Sequence, residues 1–286
     1  MQQPNEKVMF FGRNRVFYHG LIGRVDRQRL NGAFTIYAAQ GSVLCFSVGS
    51  GSRRFAPIAA VPPHTPHMVR STEDRVSVIL IEPESVADAE LDALRARIED
   101  PERGTELWWR IGDALSALRA GDFPAGMAAD AFDRTVLGQA LSPRDLDPRI
   151  GHALALFETS DLGDALTVDD IARAVRLSAS RFLRLFKEQT GLRFRSYRMW
   201  RRARAFLPHA ANAGNLAHLA LELGYPDSTH FSHSIRRVYG LKPRSILEGS
   251  QRLQVIGQSK GATPSGDAAL RPAGGDRRPL ERLKAG

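Results

Sequence analysis

Two stretches of this chain carry the same pattern 49 residues apart, and that repeat constrains the fold more than any other feature. Phe182 is matched by Phe231, and Gly191 by Gly240. In the first stretch Thr167 is a good N-cap ahead of Val-Asp-Asp, where two carboxylates in the first turn suit the helix dipole. A short helix over Val168–Val175 then turns Ile171, Ala172 and Val175 inward. After a tight turn at Arg176–Leu177, Ser178 caps a second helix that ends at Gly191, a C-terminal glycine signal. Phe182, Leu185 and Phe186 fall at i, i+3 and i+4, so this helix is held by its back. The second stretch has the same plan: a short helix over Leu216–Leu223, a turn at Gly224–Tyr225–Pro226 and an N-cap at Asp227. Its second helix has Phe231, Ile235 and Val238 inward and stops at Gly240. The second turn is one residue longer, since Gly224 lies 48 after Arg176.

What each second helix leaves outside is small, polar or basic. Ser180, Arg181, Leu183, Arg184 and Lys187 face outward in the first unit, and Ser228, Thr229, Ser232, His233, Arg236 and Arg237 in the second. Such faces suit the DNA major groove. Between the units a helix over Phe194–Leu207, ended by Pro208, has an apolar stripe of Tyr197, Trp200, Ala203 and Leu207. It is flanked by Arg195, Arg198, Arg201, Arg202 and Arg204. One rigid helix holding two readers would set them about 34 Å apart, one DNA turn. The arginines would neutralise phosphates, which adds salt-sensitive affinity without sequence information.

The charge distribution agrees. The chain carries a net +9, but residues 176–250 hold 14 Lys and Arg against 4 Asp and Glu, whereas residues 1–175 hold 19 against 24. A polyanion is therefore the expected partner of the C-terminal part and not of the rest. Residues 1–84 are β-rich, with strands expected at Val8–Phe11, Val16–Tyr18, Phe34–Ala38, Val43–Val48, Ile58–Val61 and Val76–Glu82, separated by turn residues. Many short strands at this spacing predict a small barrel or sandwich. Over 85–141 the period becomes helical, with Leu91, Leu94 and Ile98 on one face, Leu107, Ile111, Leu115 and Leu118 on a second, and Phe132, Val136 and Leu137 on a third. The Trp108–Trp109 pair puts one indole off the main stripe, open to core packing or a dimer contact. Residues 142–148 are a Pro- and Asp-rich linker. The reading domain then spans 149–250, and 251–286, rich in Gly, Ala, Pro, Ser and Arg, is expected to be a disordered tail.

Residues 147–247 resemble the DNA-binding domain of AraC/XylS-type transcriptional regulators. The resemblance rests on IARAVRLSASRFLRLFKEQTGLRFRSYRMWRRARAFL and on LALELGYPDSTHFSHSIRRVYGLKPRSI, which carries the Gly-[Phe/Tyr] … His-Phe … Gly … Pro pattern of that family. It implies a single-chain, sequence-specific regulator, an activator by the habit of the family, with double-stranded DNA as partner and RNA polymerase as well if it activates. By position it assigns base contacts to Ser180, Leu183 and Arg184 and to Ser228, Thr229 and His233. Phosphate contacts fall to Arg181, Lys187, Arg195, Arg198, Arg201, Arg202, Arg236 and Arg237. Leu183 stands where a polar residue is usual and can make only apolar contact, for example with a thymine methyl. Arg176 stands where the family commonly has the turn glycine; a positive φ there would cost about 1 kcal/mol relative to Gly.

The N-terminal part more weakly resembles the cupin-like β-barrel sensor domain of such regulators. The fold class is thus α+β multidomain: residues 1–141 a cupin-like barrel with accessory helices, followed by an all-α domain with two helix–turn–helix motifs. A small-molecule effector and a homodimer are open, and no residue announces the ligand. His64 and His67 lie close together, but the several His and a Glu of a metal cupin are missing, so neither metal nor other cofactor is expected. The lone Cys45 cannot form an intramolecular disulfide. Gly49–Ser52 lacks the Lys and helix of a phosphate loop and reads as a hairpin turn. No catalytic arrangement appears, and no enzyme activity is expected. There is neither a secretory signal nor an apolar run of membrane-spanning length, so the expected location is the cytoplasm. Two readings compete with a regulator: a cupin-type metal enzyme with a basic helical appendage, and an architectural DNA binder that needs no ligand.

Overall fold

The computed structural model describes residues 7–22, 28–73, 75–159, 166–211 and 214–257. Eight strands come first: β1 (Val8–Phe11), β2 (Arg15–Leu21), β3 (Phe34–Ala38), β4 (Leu44–Val48), β5 (Arg54–Ala56), β6 (Ile58–Val61), β7 (His67–Ser71) and β8 (Arg75–Ile81). Helices α1 (Asp88–Glu99), α2 (Pro101–Ala120) and α3 (Ala129–Leu137) follow. Then come α4 (Pro148–Thr159), α5 (Val168–Ala174), α6 (Ala179–Thr190) and α7 (Phe194–Ala205), a 3₁₀ turn at Leu207–Ala211, and α8 (Leu216–Glu222), α9 (Ser228–Tyr239) and α10 (Pro243–Gly249). A final strand, β9 (Gln254–Gly257), ends the described chain.

The strands make two sheets, one of six in the order β6-β3-β8-β2-β1-β9 and one of three in the order β5-β4-β7. They do not close into the expected barrel. The reason lies in the side chains, which alternate across a strand. On one face of the larger sheet Phe10, Phe17, Phe34, Ile36, Ile79 and Ile81 pack under α1–α3. On the other, Met9, Val16, Tyr37, Val78 and Leu80 join a cluster that runs on into Phe206, Phe231, Ile235 and Val238 of the C-terminal half. A sheet that is apolar on both faces needs a layer on each: helices α1–α3 supply one, and the smaller sheet (Leu44, Phe46, Val69) together with the C-terminal helices supplies the other. A bidentate ion pair, Arg15 Nε and Nη2 to Asp133 at 2.7 Å, pins α3 to the sheet; both residues are buried.

Two other differences from the sequence reading follow from short segments. β5 and β7 carry few apolar residues and are held by pairing with β4. The expected tail contributes β9, which pairs in parallel with β1, Val255 packing toward one face of the sheet and Ile256 toward the other. From residue 258 on, the tail lies outside the described residues. The turn expected at Gly49–Ser52 joins β4 to β5, with Gly49 at φ +61°. Among the described residues, no helix is long and apolar enough to cross a membrane.

Candidate nucleic-acid interface

In the first unit the Thr167 side chain accepts from the Asp170 N–H while Asp170 accepts from the Thr167 N–H, a complete capping box. The hydrogen bond from the Thr167 hydroxyl, with the others around it, holds the Asp170 carboxyl below its usual range. Ser178 caps α6, and Gly191 closes it in the left-handed conformation. Ile171, Ala172, Val175, Phe182 and Phe186 form a core with Ile150 and Leu154 of α4 and with Phe194 and Tyr197 at the start of α7. Phe194 stacks edge-on to both Phe182 and Phe186 at 5.1 Å. Helix α4 went unread in the sequence, although Ile150, Ala153, Leu154 and Phe157 have helical spacing. Four residues, 175–178, separate α5 from α6, and Arg176 adopts φ +56°. The suspected strain is therefore present.

The second unit repeats this geometry. Asp227 caps α9 by accepting from the Thr229 and His230 N–H groups, both at 2.8 Å. The backbone and ring hydrogen bonds of His230 hold the Asp227 carboxyl below the usual range. Five residues, 223–227, separate α8 from α9, and the turn conformation falls on Gly224 at φ +74°. Phe231, Ile235 and Val238 are buried, and Gly240 ends the helix at φ +75°.

All six residues expected to meet bases, Ser180, Leu183, Arg184, Ser228, Thr229 and His233, lie on exposed faces of α6 and α9. Leu183 is 40% exposed. Of the residues expected at phosphates, Arg181, Lys187, Arg195 and Arg237 are exposed, while Arg198, Arg201, Arg202 and Arg236 are half-buried. Arg204, grouped with them by sequence, is not on this surface. It is buried, with Nε 2.6 Å from Glu82 Oε1, Nη2 donating to the carbonyls of Gly12 (2.6 Å) and Arg13 (2.9 Å), and its guanidinium 4.4 Å above the Phe11 ring. The indole N–H of Trp200 donates to the other Glu82 oxygen at 2.7 Å. Removing one partner from so buried a pair costs about 3–5 kcal/mol.

Between the larger sheet and the C-terminal helices lies a cavity of about 250 Å³. Met9, Tyr18, Tyr37 and Leu80 line it from the sheet, and Leu207, Val238, Tyr239 and Ile246 from the helices. Arg29, Asn31, Ser245 and Ser250 are among its polar lining residues. Beside it the Nδ1–H of His67 donates to the Thr65 carbonyl at 2.9 Å, so Nε2 accepts from the Tyr37 hydroxyl at 2.8 Å. Burial pushes the His67 imidazole down to about 4, against a backbone hydrogen bond that favours its charged form. His64 and His67 join no third ligand: among the described residues no three His, Cys, Asp or Glu gather as a metal site.

Residues 171–249 match a family described as a helix-turn-helix domain. That span runs from the packed Ile171 through both capped readers to the end of α10, with the Gly-Tyr … His-Phe pattern of the second unit inside it. The matched span is the stretch whose motifs resemble AraC/XylS-type regulators. Over 106 residues the chain is 33% identical to the HTH-type transcriptional activator RhaS of Escherichia fergusonii; the match takes in 36% of this chain and 37% of RhaS, little over a third of that relative's length. ToxT of Vibrio cholerae has the same fold over 82% of this chain and 98% of its own, at 12% identity and a TM-score of 0.51. A ToxT structure from strain O395 gives 14% identity, the same 82% of this chain, 96% of its own and a TM-score of 0.50. In this helix-turn-helix domain the departures noted in sequence, Arg176 and Leu183, both fall in the first unit. The cavity and the Glu82–Arg204 contact escaped sequence reading because both are built from residues far apart in the chain.

Proposed function

We propose that this chain is a sequence-specific transcriptional regulator that reads two successive major-groove segments with α6 and α9. The observation that carries this reading is the pair of capped helices of equal length, each buried on its Phe face and polar on the other. Ser180, Leu183 and Arg184 meet bases in one half-site, and Ser228, Thr229 and His233 in the other. Arg181, Lys187, Arg195, Arg198, Arg201, Arg202, Arg236 and Arg237 meet phosphates. An activating role, with RNA polymerase as partner, follows the name of RhaS, and action on chromosomal DNA places the protein in the cytoplasm. An effector enters the cavity between sheet and helices: a largely apolar molecule with one polar or anionic end for Arg29 and Asn31.

Selection of DNA from a random pool by the full-length protein, followed by binding at rising salt, tests the reading. The selected operator is expected to hold two half-sites one helical turn apart, with affinity falling by about 0.9 log unit per log unit of salt for each phosphate contact. Arg184→Ala and His233→Ala each lose about 1–3 kcal/mol of discrimination, at different half-sites, whereas Arg195→Ala weakens all sequences alike. Equal binding to selected and random DNA at every salt concentration would overturn it.

A further inference from the structure

The helix joining the two readers belongs to two cores. Phe194 and Tyr197, in its first half, close the core of the first unit. Trp200 and Ala203, in its second half, belong with Phe206 and Phe231 to the cluster that continues into the β-sheet. The seam at this second half is close and specific. A Cβ at Gly32, in the turn entering β3, would stand 2.4 Å from the Trp200 ring, so only glycine lets helix and sheet approach so closely. The Leu30 N–H donates to the Arg237 carbonyl of α9 at 2.9 Å. Glu82, at the end of β8, grips Arg204 with one oxygen and Trp200 with the other. Beyond α10 the chain returns to the sheet as β9.

The first unit meets the N-terminal half differently. Arg144, in the linker, donates to the Pro83 carbonyl and to the Gln189 carbonyl at the end of α6, each at 3.2 Å, and pairs with Asp88. Its buried apolar residues come from α4–α7 and the segments between them. The cavity follows the same division: α9, α10 and the 3₁₀ turn line it, and no residue of α4–α6 does.

We propose that the N-terminal half governs the second reader alone. Glu82 is a positioning residue for α9, acting through Arg204 and Trp200, and occupancy of the cavity alters recognition at the second half-site while the first is read independently. The proposal rests on the two-half-site reading above. Its physical basis is that a change in spacing between sheet and helices must displace α9, which shares their core, whereas α6 has its own and is tied at its end to the linker, through Arg144 and the Asp147 N–H.

The test uses the full chain and its selected operator, with half-sites assigned by the protections lost in Arg184→Ala and His233→Ala. Glu82→Gln, which keeps shape and removes charge, and Gly32→Ala, which wedges the seam without touching the ion pair, are compared with the unaltered protein on operators scrambled in one half-site. In both variants discrimination at the second half-site should fall about tenfold, with footprint protection there weakened and the first half-site unchanged. A merely structural role would lower the melting temperature and leave the ratio between half-sites intact. That result, or equal losses at both, overturns the proposal. Should one variant not fold, the other decides. Failure to select any operator would instead remove the DNA-reading proposal on which this one rests.

Discussion

In the first reading unit Ile171, Phe182 and Phe186 close a core made by α4–α7. In the second, the equivalent Phe231, with Ile235 and Val238, shares its core with Met9, Val16 and Leu80 of a β-sheet. The local plan is the same in both: side-chain N-cap, two-Phe or Phe-Ile back, left-handed glycine stop. The difference is in what stands behind the helix. A repeat in sequence fixes how each reader folds locally but not how independent it is, because independence depends on neighbours that the repeat does not contain.

The largest test of that contrast is to empty each core. Phe186→Ala and Phe231→Ala should each cost about 3–5 kcal/mol. Thermal melting should then differ in form. Phe186→Ala should split off an early transition confined to the first unit, whereas Phe231→Ala should lower one transition that includes the sheet. Two early, local transitions would break the comparison.

pH provides the next effect, because the strongly shifted groups lie on the side of the sheet. Below pH 6.5 the unfolded chain takes up a proton that folded His67 refuses until about pH 4, so stability falls as pH drops through that window, by on the order of 3 kcal/mol. Glu84 works in the opposite sense. Burial, and then the neighbouring Glu82 carboxylate, raise it from 4.5 to about 8. The folded chain keeps a proton there that the unfolded chain releases, so stability falls as pH rises from 4.5 to 8. His67→Gln should remove part of the acid limb, the rest staying with His19, which burial also lowers to about 4, and Glu84→Gln should flatten the alkaline one, measured as melting temperature against pH. Both should act on the transition that holds the sheet and second unit.

These residues also mark what could be read from the sequence. The helices of both units were legible to within a residue or two, since caps, Phe spacing and glycine stops are local signals. β1, β3 and β6 were legible as runs of apolar and β-branched residues. The open sheet was misjudged although its evidence was present: Phe-Thr-Ile-Tyr-Ala in β3 and Val-Ile-Leu-Ile in β8 are apolar at nearly every position, as a two-sided burial requires. Arg204 was misplaced because helical periodicity sees only its basic neighbours, and the Glu82 that neutralises it also meets a Trp200 118 residues away. β9 was missed because Val255 and Ile256 are a brief apolar pair ahead of a Gly-, Ala- and Pro-rich tail, and β1 completes them.

The smallest effect concerns the turns. Arg176→Gly should stabilise the first unit by up to about 1 kcal/mol, since Arg there holds φ +56°, and Gly224→Ala should destabilise the second by about as much at φ +74°. Denaturant titration followed separately in each unit measures both. A loss from Arg176→Gly would mean that contacts of the arginine outweigh its strain.

The most direct measurement is segment-resolved amide hydrogen exchange of the unbound full-length chain. The buried amides of α9 should open with the same free energy as those of β2 and β8, and those of α6 with a distinctly smaller one. If α6 and α9 open together, or if α9 opens before the sheet, the two readers do not differ in foundation.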